Sequence, residues 1–169
     1  MPELPEVETV ARGLDERLSG RTVTGVDVRW KRSIRAPDPV TFADRLVGQS
    51  VTGVQRRGKW IMVELDSGDA LLVHLRMTGQ LLVEPAGSPD GDYTRVVIHL
   101  DEERRLQFSD MRKFGRLILT ENANEVLGDL GPEPLGDDFT VERFRRMLAQ
   151  RRGRIKSLLL NQYFLAGLG

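Results

Sequence analysis

Cysteine is missing from the 169-residue sequence. The chain therefore cannot form disulfides, and it offers no thiolate to zinc or to an iron–sulfur cluster, which is in keeping with a reducing compartment. No apolar run approaches the roughly 20 residues that a membrane-spanning helix needs. The amino-terminal residues, MPELPE, also lack the basic and apolar regions of a secretory signal. We expect a cytoplasmic protein that does not enter membranes.

The chain also has no net charge, because its basic and acidic side chains sum to +0. These charges are unevenly distributed along the sequence. Residues 21–60 hold nine basic and three acidic side chains, residues 121–142 hold seven acidic and no basic ones, and residues 143–169 hold seven basic and no acidic ones. Blocks this polarised predict surfaces of opposite sign, and the basic surfaces suit a polyanion such as nucleic acid. A solvated helix face is the alternative explanation of the same blocks.

The first residues predict an amphipathic helix. Pro5 suits its first turn, where Glu6 and Glu8 are favoured by the helix dipole. Five apolar residues then recur at helical spacing: Val7, Val10, Ala11, Leu14 and Leu18. Gly20 suits the end of this helix. Because the helix begins only a few residues into the chain, the amino end of the chain is expected beside the positive end of the helix.

Residues 21–120 consist of short β-branched runs separated by glycine, proline and aspartate. Eight of these runs predict strands: 22–28, 51–54, 60–65, 70–75, 80–83, 95–100, 104–108 and 116–119. A short helix is expected near residues 41–47. The pattern predicts an α+β fold in which the N-terminal helix accompanies an antiparallel β-sandwich of about eight strands.

The remaining residues predict a linker and two helices. Residues 131–138 are rich in glycine, proline and aspartate, as linkers are. Thr140 is a candidate N-cap for an amphipathic helix that ends near Leu148, and a second helix is expected at about 155–166. The second helix is apolar around most of its circumference, so we expect it to fray or to mediate self-association.

This organisation predicts three parts. Residues 1–130 form the β-sandwich domain with its N-terminal helix, and residues 131–138 form the linker. Residues 139–169 form an incomplete helical domain, because two helices cannot bury an adequate core on their own. We therefore expect the chain to stop inside an all-α domain.

Pro2 is the first residue that suggests chemistry. Removal of Met1 would expose a secondary amine, which is partly neutral near pH 7 because an α-amino pKa lies at about 8. Such an amine attacks an electrophilic carbon and forms a charged iminium, an effective electron sink. Glu3 beside it suits the role of acid or base. The alternative is that Met1 to Glu3 merely lead into the helix.

Motifs that span nearly the whole chain carry a resemblance to a known family. The amino-terminal MPELPEVET is followed in order by RRGKW (56–60), HLRMTG (74–79), DMRKFG (110–115), LGPEPL (130–135) and IKSLL (155–159). This series resembles bacterial formamidopyrimidine-DNA glycosylases, which excise oxidised purines and then cut the strand. Leu4 with Glu8 and Thr9 favours this branch over the related endonuclease VIII enzymes.

The resemblance implies the catalytic residues Pro2, Glu3 and Lys59. Pro2 is expected to attack C1′ of the damaged nucleotide, displace the base and hold the sugar as an iminium. Glu3 is expected to act in protonation and in opening of the sugar ring. Lys59 matches the family's catalytic lysine, with an ordinary strand-edge lysine as the alternative, and Arg56 and Arg57 before it fit a phosphate-facing stripe.

The resemblance also implies DNA-binding residues. A base inside a duplex cannot reach a protein terminus, so the enzyme must extrude it and fill the gap. Met77, Arg112 and Phe114 match the family's gap-filling residues, where apolar wedges replace lost stacking and arginine offers donors to the orphaned base. Core packing at strand ends is the alternative for Met77 and Phe114. Three further DNA contacts are expected at Tyr93, which stands near a family histidine, and at Arg151 and Lys156.

The expected partner is damaged duplex DNA, and the complete enzyme is expected to be monomeric. Members of the family continue past Gly169 with the rest of a helix–two-turn–helix and a four-cysteine zinc finger, so the family's structural zinc has no ligands in this chain. No organic cofactor is needed, because the amine supplies the electron sink. Three alternatives stay open: a weak or inactive truncated remnant that only binds DNA, an endonuclease VIII-type glycosylase for oxidised pyrimidines, and an unrelated β-sandwich interaction module.

Overall fold

The structure, a computed structural model, describes all residues from Met1 to Gly169. The first elements in chain order are α1 (Leu4–Leu18), β1 (Val23–Val28), β2 (Ile34–Ala36), α2 (Pro39–Leu46), β3 (Val51–Arg57), β4 (Trp60–Leu65) and β5 (Ala70–His74). They are followed by β6 (Gly79–Pro85), β7 (Thr94–Leu100), β8 (Arg104–Asp110), β9 (Arg116–Thr120), α3 (Asn124–Leu127), α4 (Val141–Ala149) and α5 (Ile155–Leu159). None of the helices combines the length and the apolar character needed to cross a membrane.

Two β-sheets face each other and enclose the core. One has the strand order β1-β7-β8-β6 and the other β2-β9-β5-β4-β3. All neighbouring strands are antiparallel except β2 and β9, which are parallel. Their inner faces contribute to one cluster of 24 buried apolar side chains, so a single core supports both sheets.

The α+β sandwich predicted from the sequence is confirmed, with one more strand than expected. All eight predicted strands are present, and the ninth is β2. Its three residues, Ile34–Ala36, are too few to show the alternation that identifies a strand, and its pairing with β9 comes from a distant part of the chain.

Helix α1 lies against this core and fixes the amino end of the chain. It buries Leu4 and the predicted stripe from Val7 to Leu18. The Glu6 carboxylate accepts a hydrogen bond of 3.0 Å from the backbone N–H of Glu3, which occupies the N-cap position. Pro2 and Glu3 are therefore held at the positive end of the helix.

The carboxyl-terminal part agrees with the sequence in its first helix only. Thr140 caps α4 as predicted, since its hydroxyl accepts a 3.2 Å hydrogen bond from the Arg143 N–H. The prediction of a second helix over 155–166 is wrong, because α5 ends at Leu159. The chain then turns, and Phe164, Leu165 and Ala166 become buried.

Contacts with the sandwich domain and the linker explain this turn. The Leu4 N–H donates to the Gly167 carbonyl at 3.1 Å, and the Ala166 N–H donates to the Pro132 carbonyl at 3.1 Å. Gly167 has φ +93, and a Cβ there would lie 2.6 Å from Leu4 Cδ1. The side chains of Phe164, Leu165 and Ala166 are thus buried where the segment contacts the sandwich domain and the linker. The expected fraying of 155–166 therefore does not extend to residues 164–167.

The packing of this segment predicts that two neighbouring aromatic residues contribute very different amounts to the free energy of unfolding. Phe164 is 4% exposed and Tyr163 is 70% exposed. Phe164→Ala should lower the free energy of unfolding by about 3 kcal/mol through the cavity it leaves. Tyr163→Ala should change it by less than about 0.5 kcal/mol. Urea denaturation measures both, and equal small losses would contradict the packing of the segment.

Candidate functional site

Lys59 and Glu3 meet beside the last residues of the chain. Lys59 and Gly58 form the tight turn between β3 and β4, and Gly58 has φ +59. Its side chain is buried, so its ammonium pKa lies below the usual range, and the nearby Glu3 carboxylate offsets part of that shift. A Cβ on Gly169 would lie 2.7 Å from Lys59 Nζ and 2.9 Å from Glu3 Oε1. An acid–base pair therefore surrounds one small space.

The two arginines before Lys59, which were expected to form a phosphate-facing stripe, have carboxylate partners within the protein. Arg56 bonds the Glu8 carboxylate and the Glu133 carboxylate, each at 2.7 Å. Arg57 bonds Glu133 at 3.0 Å and donates to two backbone carbonyls of the linker region. Both guanidinium groups have their partners within the protein, so they fasten the turn that carries Lys59 to α1 and to the linker.

The three residues expected to fill the gap in DNA lie together on the surface. Met77 stands in the turn between β5 and β6, and Arg112 and Phe114 stand in the turn between β8 and β9. Arg112 Nη1 lies 2.9 Å from Met77 Sδ, and the Arg112 guanidinium carbon lies 4.9 Å from the centre of the Phe114 ring. Met77 is 45% exposed and Phe114 is 50% exposed, so core packing is not their role. We call these three residues the wedge.

A buried carboxylate holds both turns of the wedge in place. Asp110 is 1% exposed. It accepts hydrogen bonds from the Thr78 hydroxyl at 2.5 Å, the Arg112 N–H at 3.2 Å and the Gly115 N–H at 2.7 Å. One side chain thus determines where two loops that connect the two sheets lie relative to each other.

The other three expected DNA contacts lie apart from Lys59 and Glu3. Tyr93 is 47% exposed at the start of β7, and its carbonyl accepts a 2.9 Å hydrogen bond from the Asp110 N–H, beside the wedge. Arg151 follows α4 and Lys156 lies in α5. Both side chains are exposed and neither forms an ion pair, so they are free to meet an external anion.

A cationic cavity separates the amino end of the chain from the wedge. It has a volume of about 480 Å³ and is lined by Met1, Met77, Phe114, Gly115 and five cations. The cations are Arg32, Arg35, Arg76, Lys113 and Arg116. The sequence did not identify any of them as a site residue. Arg32 and Arg35 lie in the basic segment 21–60, whereas Arg76, Lys113 and Arg116 lie in or directly after the HLRMTG and DMRKFG motifs.

His74 is a neutral residue that pairs with Arg116, one of these cations, across the sheet. It is buried at the end of β5, and its ring meets the Trp60 ring edge-on at 4.9 Å between centroids. Its Nδ1 accepts a 3.1 Å hydrogen bond from the Arg76 N–H. Burial lowers its pKa from 6.5 to about 3, and the charges of Arg76, Lys59 and Arg116 act in the same direction.

Metal ligands do not come together in this protein. No group of three or more His, Cys, Asp or Glu side chains has the arrangement to hold a metal ion. With no cysteine, the residues present do not fit the four-cysteine zinc site that the family resemblance implies.

Comparisons with known proteins agree on one family. Residues 1–117 match the model of the formamidopyrimidine-DNA glycosylase N-terminal domain. The formamidopyrimidine-DNA glycosylase of Herpetosiphon aurantiacus is 45% identical over 172 residues, and the alignment covers 100% of this chain and 63% of that protein. The enzyme of Protochlamydia amoebophila is 41% identical over 170 residues, with 100% and 62% covered. The chain thus spans less than two thirds of the length of these relatives.

Solved structures from the same group share the fold. The Lactococcus lactis enzyme bound non-covalently to DNA with an AP site has a TM-score of 0.90 and 32% identity, covering 99% of this chain and 65% of that one. A G226P mutant of the Lactococcus lactis enzyme in complex with DNA containing Fapy-dG has a TM-score of 0.91 and 31% identity, covering 99% and 63%.

The buried neutral state of His74 predicts a loss of stability in mild acid. The unfolded chain binds a proton near pH 6.5, whereas folded His74 does so only near pH 3. Stability is therefore complete above pH 6.5 and falls as the pH decreases toward 3, by about 2 kcal/mol at pH 5. Urea denaturation at pH 7, 6 and 5 should show this loss in the wild type and in the control His99→Gln. His74→Gln should remove it, and an unchanged pH dependence in that variant would disprove the assignment.

Proposed function

The chain belongs to the formamidopyrimidine-DNA glycosylase family, and we propose that it removes oxidised purines, such as 8-oxoguanine and formamidopyrimidines, from duplex DNA and then cuts the strand as an AP lyase. One observation carries this proposal. Met1 lines the same cationic cavity as Met77 and Phe114 of the exposed wedge, and Arg112 contacts both of these wedge residues. A nucleotide that the wedge displaces from the duplex has an amine within reach on the far side.

The chemistry begins with the secondary amine of Pro2 after removal of Met1. Because Met1 lines the cavity, the nitrogen of Pro2 opens toward it once Met1 is gone. The amine attacks C1′ of the everted nucleotide, the bond from C1′ to the base breaks, and the base leaves with a proton. Opening of the sugar ring, with protonation of its oxygen by Glu3, leaves C1′ joined to Pro2 as an iminium ion.

The same iminium explains strand cleavage. Its positive charge makes the proton on C2′ acidic, so loss of that proton expels the 3′-phosphate by β-elimination. Water then hydrolyses the iminium and restores the amine. Lys59 is suited to move protons in these steps, because burial lowers its pKa and Glu3 lies beside it. No organic cofactor takes part.

The wedge supplies the other half of the proposed function. Extrusion of a base costs stacking energy, and the exposed Met77 and Phe114 replace that stacking from one side of the duplex. Arg112 lies between them with guanidinium donors for the orphaned base. Tyr93, Arg151 and Lys156 are proposed to contact the backbone of the DNA.

Two alternatives concern the extent of the activity. The chain spans 63% of the length of its Herpetosiphon aurantiacus relative, and the first alternative is a catalytically weak or inactive remnant that only binds DNA. An endonuclease VIII-type preference for oxidised pyrimidines is the second alternative, and a panel of lesions separates it from the purine preference. An unrelated interaction module is excluded by the family match. A monomeric state and a cytoplasmic location belong to the proposal.

Borohydride trapping tests the role of Pro2 directly. The chain without Met1 should form a reduced covalent adduct with duplex DNA that carries 8-oxoguanine or an abasic site. A chain that retains Met1, or that is acetylated on Pro2, has no free secondary amine and should form none. Equal trapping by the blocked chain would show that another nucleophile acts.

Lys59→Ala should slow lesion excision and strand cleavage by about 100-fold or more, as loss of an acid–base group does. Binding to undamaged duplex should change little, because one positive charge is a small part of the phosphate contacts. Lys31→Ala removes an exposed lysine and serves as the matched control. An equal, salt-sensitive loss of binding to undamaged DNA in Lys59→Ala would reduce this residue to a phosphate contact.

A further inference from the structure

Strand β6 lies at the edge of its sheet, so one of its two sides has no neighbouring strand. The N–H of Gly79 points to that side, because it donates to the Leu75 carbonyl at 2.9 Å and not to β8. Backbone groups alternate in direction along an antiparallel strand, so those of Leu81 and Val83 point to the same side. No backbone hydrogen bond from outside the sheet reaches either residue. Two residues thus present unpaired donors and acceptors.

Helix α1 covers the edge of the other sheet and leaves this one open. On the edge strand β3, the Val54 N–H donates to the Asp15 carboxylate of α1 at 2.8 Å. No side chain of α1 makes such a bond to β6. Edge strands are normally protected, because they pair readily with another chain. The free side of β6 is therefore available to a further strand.

An apolar groove of about 410 Å³ runs between α1 and the free side of β6, and we call it the α1–β6 groove. Residues 81–84 of β6 line it. Consecutive side chains of a strand point to opposite faces, so a groove that meets all four follows the edge of the strand. Its one carboxylate, on Glu84, already bonds Arg105 at 3.1 Å. The residues of α1 that line the groove are Thr9, Val10, Gly13, Leu14 and Arg17.

Gly13 keeps the α1–β6 groove open. It lies in the interior of α1, although glycine weakens the interior of a helix. Nothing lies within 4 Å of the position that a Cβ would occupy there, so no contact within the protein requires glycine. The absence of a side chain lets the backbone of a bound segment approach α1 closely at this point.

Positive charge marks one end of the α1–β6 groove. Beyond Arg17 the groove continues into a space of about 420 Å³, lined by Glu16, Arg17, Arg21, Val83 and Arg104. Arg21 pairs with Glu102, whereas Arg17 and Arg104 form no ion pair. Arg104 lies opposite Pro85, the last residue of β6. Two unpaired guanidinium groups thus stand where β6 ends, and they suit carboxylates.

These features together indicate the chemistry of a partner. The free edge suits main-chain pairing, the apolar wall suits every second side chain of a strand, and the arginines suit carboxylates. We propose that the α1–β6 groove binds an extended segment of a partner protein, in which carboxylates precede alternating apolar residues. The segment pairs antiparallel to β6, the more stable arrangement, so its acidic amino end lies beside Arg17 and Arg104.

The α1–β6 groove extends away from the wedge. Strand β6 begins at Gly79, directly after the turn that carries Met77, and ends at Pro85. The rise of an extended strand places these ends about 20 Å apart. None of the residues expected in catalysis or DNA binding lines the groove. A partner can therefore occupy it while the wedge meets DNA, which adds a protein contact to the proposed function.

Fluorescence anisotropy with a labelled peptide tests this proposal. The probe is a peptide of three aspartates followed by alternating valine and threonine. One control peptide has lysines in place of the aspartates, and the other is N-methylated on its valine and threonine amides and cannot pair with an edge. The wild-type chain should bind the probe at low salt and each control peptide about tenfold more weakly.

Substitutions in the groove give the second measurement. Gly13→Leu fills the α1–β6 groove and should abolish binding of the probe while raising the melting temperature, because leucine favours a helix more than glycine does. The double variant Arg17→Gln/Arg104→Gln should weaken binding by about tenfold at low salt and by less at high salt. The control Arg145→Gln removes an exposed arginine of α4 and should match the wild type.

Three results would overturn the proposal. The first is equal binding of the probe and either control peptide, or equal binding of the probe by the wild type and Gly13→Leu. The second is a wild-type dimer in sedimentation that Gly13→Leu abolishes, with no peptide bound, which assigns the groove to a second copy of this chain. The third is displacement of the probe by undamaged duplex DNA together with weaker DNA binding by Gly13→Leu, which assigns the groove to DNA. Borohydride trapping should be the same in Gly13→Leu and the wild type, so the proposed function is judged separately.

Discussion

The hydrogen bonds and ion pairs that the Glu133 carboxylate accepts are the interaction on which the position of Lys59 depends. It holds Arg56 at 2.7 Å and Arg57 at 3.0 Å, and it accepts the backbone N–H of Gly58. Arg56 continues the network to Glu8 in α1, where it lowers the pKa of that carboxyl group. Buried charges in such a network stabilise only while each has its partner, so the linker, the helix and the turn that carries Lys59 are held as one unit.

A second carboxylate does the same for the wedge. Asp110 joins two loops, β5–β6 and β8–β9, that cross between the sheets, and the apolar side chains of Met77 and Phe114 in these loops stay exposed. Exposed apolar side chains gain little from burial, so other interactions must hold them in position. Hydrogen bonds to one buried charge supply it, which leaves the wedge free to meet a partner without loss of its geometry.

Arginines in this protein fall into two classes according to their partners. Arg56, Arg57 and Arg105 have carboxylates within 3.1 Å and connect separate parts of the fold. Arg76 and Arg116 have no such partner and face the cavity beside the amino end. The first class stabilises the scaffold, and the second concentrates positive potential in the cavity.

The sequence alone determined the secondary structure wherever a period was long enough to read, as in α1 and the eight predicted strands, and the ordered motifs determined the family. It did not reveal β2, whose three residues carry no period, nor the end of α5, because burial of Phe164 depends on a surface built from distant residues. Basic motifs likewise could not separate Arg57, which meets Glu133, from Arg76, which meets no carboxylate. Periodicity is a local property and can be read directly from the sequence. The partner of a charged side chain, or the residues that bury an apolar one, are determined only when distant segments of the chain come together in the fold.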